Sequence, residues 1–92
     1  MTEKTLVGVY RAVVTDASDP QQLGRVSVRI PSVSADEDLW ARVVIPGKTS
    51  YLLDPGDEVL VAFEAGDLRA PYVLGTLWDP ADAPPKYMPG AG

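Results

Sequence analysis

Prolines and glycines divide this chain into short segments. Nine of its 92 residues are proline and eight are glycine. Proline lacks the backbone N–H that a helix interior and an inner strand both need. The apolar runs between these residues are short and carry no helical period, so they favour strands joined by turns. The first prediction is therefore an all-β fold in a single small domain.

Five segments have the composition of β-strands. The clearest is residues 25–30 (RVSVRI), where Val26, Val28 and Ile30 alternate with polar residues, as in a half-buried strand. The other four are residues 6–15, 40–45, 58–64 and 72–78. Between them we expect a helical turn after residue 18 or 19, a polar loop over residues 32–38, a type II turn at residues 54–57 and a tight turn at residues 65–67.

Five short strands with turns between them favour a closed barrel, because closure removes exposed strand edges. We predict a small five-stranded antiparallel OB-fold barrel over residues 1–80. Residues 81–92 are rich in Pro and Gly and have no apolar period. This segment is predicted to be an extended tail.

Apolar residues occupy both faces of the last two strands. Strict alternation directs Val59, Val61, Phe63, Val73 and Leu77 to one face and Leu60, Ala62, Tyr72, Leu74 and Trp78 to the other. A small barrel has only one interior, so the second face predicts contact with another chain. Charged contacts are expected from the arginines next to and on the second strand. The candidate partner-interface residues are Arg25, Arg29, Tyr72, Leu74 and Trp78.

The chain offers few groups for catalysis. It has no His and no Cys, so the usual general base near neutral pH and any thiolate nucleophile or thiolate metal ligand are absent. The acids at residues 36–38 have the composition of a metal or acid/base cluster, but adjacent acids in a loop are more often solvated charge. Gly47-Lys48-Thr49 is similar to the end of a phosphate-binding loop, yet Arg42 stands where that motif needs glycine. We predict no enzyme activity and no cofactor.

The formal net charge of −5 predicts repulsion from phosphate backbones and anionic membranes. We therefore expect no nucleic-acid partner. The alternative left open is a single-stranded nucleic-acid-binding OB domain, with Arg25, Arg29 and Arg42 on one face.

The apolar run near the N-terminus is too short for a signal peptide or a transmembrane span. Synthesis in the cytoplasm, without membrane insertion by this chain alone, is expected.

Three motifs carry a family resemblance. They are D-P-x-x-L-G-R-V-x-V-R-x-P at residues 19–31, W-A-R-V-x-x-P at residues 40–46, and G-D-E-V-L-V-A-F-E-x-G-D-x-R-x-P-Y-V-L-G-x-L-W at residues 56–78. Together they resemble the OB domain of the phage baseplate spike (baseplate assembly protein V, the tail lysozyme spike) and of VgrG-type spikes of type VI secretion and other contractile injection systems. The resemblance extends over residues 7–85.

The resemblance implies a structural module that sits below the hub of a tail tube and leads into a trimeric needle. Its implied partners are sister copies, in a homotrimer, and hub, tube or needle proteins of an injection particle. The sequence up to Gly92 has no repeat-rich needle segment and no lysozyme-like domain. Membrane piercing and peptidoglycan cleavage are therefore not carried over, and an excised domain and a stand-alone adaptor both stay open.

Overall fold

The chain folds into a closed five-stranded barrel. The computed structural model describes residues 5–45, 47 and 52–77. Its strands are β1 (Tyr10–Asp16), β2 (Val26–Ile30), β3 (Ser34–Val43), β4 (Glu58–Phe63) and β5 (Pro71–Thr76), in the closed order β1-β2-β3-β5-β4. Four of the five pairings are antiparallel and the β3–β5 pairing is parallel. The predicted OB-fold barrel is confirmed.

Alternating residues of the strands fill the barrel interior. Val26, Val28 and Ile30 are at most 6% exposed, as predicted for β2, but Ser27 between them is also buried, at 5%. The Tyr10 ring meets Phe63 edge to face, with the centroids 5.6 Å apart. The other buried apolar residues are Leu6, Ala12, Val14, Ala41, Leu53, Val59, Val61 and Val73. Burial of each larger side chain contributes about 1.5–3 kcal/mol.

The first strand begins later than predicted. Residues 6–15 were expected to be extended, but β1 starts at Tyr10. The interruption comes at Gly8, whose φ of 79° lies in the left-handed region that glycine adopts without strain. Leu6 is nevertheless buried, and its N–H donates to the Gly66 carbonyl over 3.2 Å. The segment before β1 therefore closes one end of the barrel.

The acidic segment belongs to a strand, so the predicted polar loop over residues 32–38 is wrong. β3 begins at Ser34 and includes all three acids, which are exposed. In the pairing with β2, Arg29 is opposite Asp38 and the next residue, Ile30, is opposite Ser34. The pairing therefore skips residues 35–37, which are extended but out of register with β2. Because neither face of this stretch is covered, the sequence lacks the apolar alternation that predicts a strand.

A bulge changes the alternation along β5. Leu60 pairs with Gly75 while Val61 pairs with Val73, so Leu74 is the extra residue on β5. Leu74 and Gly75 follow one another on the outer side, and Thr76 pairs with the buried Val59. The bulge interrupts strict alternation at Leu74; beyond it Thr76 is exposed and Leu77 is half-buried, and the placement of Leu77 on the same face as Val73 stays a prediction. Trp78 and the tail at residues 81–92 lie outside the described residues.

The observed turns agree only in part with those predicted from the sequence. The predicted type II turn at residues 54–57 is confirmed, because Asp57 N–H donates to the Asp54 carbonyl and Gly56 has a φ of 97°. The segment after β1 was expected to form a helical turn, but it forms a hydrogen-bonded turn in which Gln22 N–H donates to the Asp19 carbonyl. The tight turn after β4 is a single 3₁₀ turn, Glu64–Gly66.

Candidate functional site

The outer wall of the barrel has a polar side, formed by β1, β2 and β3. Arg29 Nε lies 2.7 Å from Asp38 Oδ1. The Thr15 hydroxyl donates to Asp38 Oδ2 over 3.0 Å and lies 3.0 Å from the Ser27 hydroxyl. These contacts join three neighbouring strands, so the charge of Arg29 is already opposed by a carboxylate of its own chain.

Arg25 is held by Asp19 in the loop before β2. Its Nε and Nη2 lie 2.9 and 3.0 Å from the two Asp19 carboxylate oxygens. The same carboxylate accepts the backbone N–H groups of Gln21, Leu23 and Arg25. The Arg25 guanidinium, helped by these N–H groups, holds the pKa of Asp19 well below its usual range. Arg25 therefore stabilises the loop, and its Cζ also lies 5.5 Å from the Trp40 ring centroid.

The opposite side of the outer wall is apolar. We call it the outer β4–β5 face. Leu74 and Val44 are 45% and 46% exposed, and the Val44 N–H donates to the Val73 carbonyl over 3.0 Å, which places Val44 alongside β5. Ala62 pairs with Tyr72, next to the Leu60–Gly75 pair. The residues of the face are Val44, Leu60, Ala62, Tyr72, Leu74 and Gly75.

Tyr72 lies between two charged groups on this face. The Arg42 Cζ is 5.6 Å from the centroid of its ring, and its hydroxyl donates to Glu64 Oε1. The hydrogen bond to Glu64 raises the pKa of Tyr72, and burial of the hydroxyl adds to this effect. The hydroxyl therefore keeps its proton and remains the donor. Among the described residues neither Arg42 nor Glu64 forms an ion pair.

The structure separates the predicted interface residues. Tyr72 and Leu74 lie together on the outer β4–β5 face, whereas Arg25 and Arg29 lie on the polar side in ion pairs with Asp19 and Asp38. Trp78 is outside the described residues. The interface role of all five stays a prediction.

The sequence prediction did not include two members of the face. Val44 joins it through the parallel β3–β5 pairing, and Gly75 joins it through the bulge in β5. No local pattern in the sequence indicates either feature, because parallel partners are distant in the chain and a bulge breaks the period of two.

Within residues 5–45, 47 and 52–77, no group of three or more His, Cys, Asp or Glu side chains is placed to hold a metal ion. Over the same ranges, no helix has the length and apolar character needed to cross a bilayer.

The fold and the outer wall thus define a small OB barrel with an apolar face available for contact. The model of the type VI secretion system/phage-baseplate injector OB domain family matches residues 10–78. The match extends from the first residue of β1 to beyond the end of β5, which is most of the chain. The chain belongs to this family, as the three sequence motifs predicted. A search of curated proteins finds no match.

Proposed function

We propose that this chain is a structural module of a contractile injection apparatus, joining the hub at the end of the tube to the needle as part of a trimer. The observation that carries the proposal is the apolar outer β4–β5 face on a barrel of the injector OB family. Contiguous exposed apolar surface favours association, because covering it removes it from water. The domain bounds, a barrel over residues 1–80 and a tail over residues 81–92, stay a prediction, and the tail lies outside the described residues.

We infer that the chain acts through contact and has no catalytic role. The full sequence has no His or Cys, which removes the side chains most often used as general base and thiolate nucleophile. The chain is expected to be made in the cytoplasm and then to enter an injection particle. It needs no cofactor for this role.

The nucleic-acid alternative is less well supported. Two of the three arginines on which it depends, Arg25 and Arg29, are in ion pairs with carboxylates of the same chain. These carboxylates offset the positive charge that phosphate contacts require. That the chain has no nucleic-acid partner stays a prediction.

Co-expression with the hub, tube and needle proteins of the same injection system tests the proposed function. We expect an affinity-tagged chain to co-purify with a hub or needle protein and to sediment as a trimer by itself. Leu74→Asp should weaken both results, whereas Ala35→Asp, with the same charge change at an exposed position of β3, should leave both intact. A strict monomer at high concentration, together with no capture of any hub, tube or needle protein, would contradict the proposal.

A further inference from the structure

The charges next to the outer β4–β5 face have opposite signs on its two sides. β5 lies between β3 and β4 in the barrel. Arg42 belongs to β3 and Glu64 follows β4, so they flank Tyr72 from opposite sides. Both are exposed, and among the described residues neither has an ion-pair partner. One face therefore presents a cation and an anion on either side of Tyr72, which contacts both of them.

Gly75 is a second, independent feature of this face. It lies inside β5, where glycine weakens a strand. Its φ is outside the left-handed region, and no described atom lies within 4 Å of the position that a Cβ would occupy. Neither the backbone nor the packing of the described residues requires glycine here. Glycine inside a strand is often found where another backbone approaches closely.

We propose that a second copy of this chain packs on the outer β4–β5 face, with Arg42 of one copy against Glu64 of the next around a three-fold axis. The inference rests on the proposed function, in which the chain assembles as a trimer. It adds the surface and the charge pair through which the copies would meet. A face with a cation on one side and an anion on the other complements itself. A head-to-tail contact of this kind forms a closed ring when the rotation between copies permits it.

Charge reversal tests the contact. In sedimentation equilibrium, Arg42→Glu and Glu64→Arg should each raise the concentration of half-assembly by about tenfold or more, because each places like charges together. The double variant R42E/E64R restores opposite charges and keeps the net charge of −5, so it should assemble like the wild type. Glu37→Arg is the matched control for Glu64→Arg, since it makes the same charge change at an exposed residue of β3. It should leave assembly unchanged.

Mixing the two single variants distinguishes a three-fold ring from a two-fold dimer. In a dimer of one R42E and one E64R chain, both contacts join opposite charges. In a ring of three, at least one contact always joins like charges. We expect the equimolar mixture to form no stable trimer, and a 1:1 heterodimer would overturn the proposal.

The outcomes also separate this inference from the proposed function. A wild-type trimer that is insensitive to both charge reversals, or a double variant that does not reassemble, would overturn the inference alone. A monomeric wild-type chain that captures no hub, tube or needle protein would overturn the proposed function and the inference together.

Discussion

At the scale of single residues, Asp19 organises the loop between β1 and β2. Its carboxylate accepts three backbone N–H groups and two N–H groups of the Arg25 side chain, and the Asp19 side chain is only 3% exposed. An ionised carboxylate with this many donors is stabilised in its charged form, which is why its pKa is low. The loop is thereby fixed by one side chain in a segment that has no regular secondary structure.

Asp19→Asn is expected to lower Tm at neutral pH, because the amide cannot replace the charge-assisted pair with Arg25. The pKa of Asp19 is lowered on folding, so its contribution is complete above the usual value of 3.8 and is lost as the pH falls below it. Thermal melts of both proteins from pH 7 to pH 2 should therefore show a Tm difference that narrows below about pH 4. A pH-independent difference would contradict this explanation.

Asp67→Asn is the matched control. Asp67 also pairs with an arginine, Arg69, whose side-chain hydrogen bond lowers the pKa of Asp67. The side chains of Arg69 and Asp67 are 89% and 42% exposed, and exposed pairs contribute little to stability. This substitution should change Tm much less than Asp19→Asn.

At the scale of the elements, the segment before β1 is held by the turn between β4 and β5. A Cβ added to Gly66 would lie 2.5 Å from Thr5 Cγ2 and 3.3 Å from the Leu6 backbone N. Close backbone approach at this glycine lets Leu6 enter the core at that end of the barrel. The sequence predicted a continuous strand here because it shows the apolar residues but not the turn against which they pack.

Gly66→Ala is expected to destabilise the fold more than Gly24→Ala. The two glycines have φ values of 76° and 75°, so both substitutions incur the left-handed penalty of about 1–2 kcal/mol. Only at Gly66 does the new methyl group collide with the N-terminal segment, which adds about 1–3 kcal/mol of overpacking. Urea unfolding of both variants measures the difference. Equal losses would show that the segment before β1 does not pack on the turn in solution.

At the scale of the whole molecule, the barrel and its family were predictable from the sequence because their signals are local. Val26, Val28 and Ile30 reveal β2 by their alternation, and the turn at residues 54–57 is specified by Pro55 and Gly56. The division of the outer wall into polar and apolar sides was less predictable. It depends on which strands are neighbours, and the parallel β3–β5 pairing that brings Val44 beside Leu74 has no local signal.

The central claim is that the outer β4–β5 face is apolar because another chain covers it. The most direct test is the sedimentation of Gly75→Lys beside Gln21→Lys, which makes the same charge change at an exposed residue of the loop before β2. No described atom lies within 4 Å of the position of a Cβ at Gly75, so we expect Tm at low concentration not to fall. We predict that Gly75→Lys is a monomer while Gln21→Lys and the wild type are trimers. A trimeric Gly75→Lys would contradict the claim.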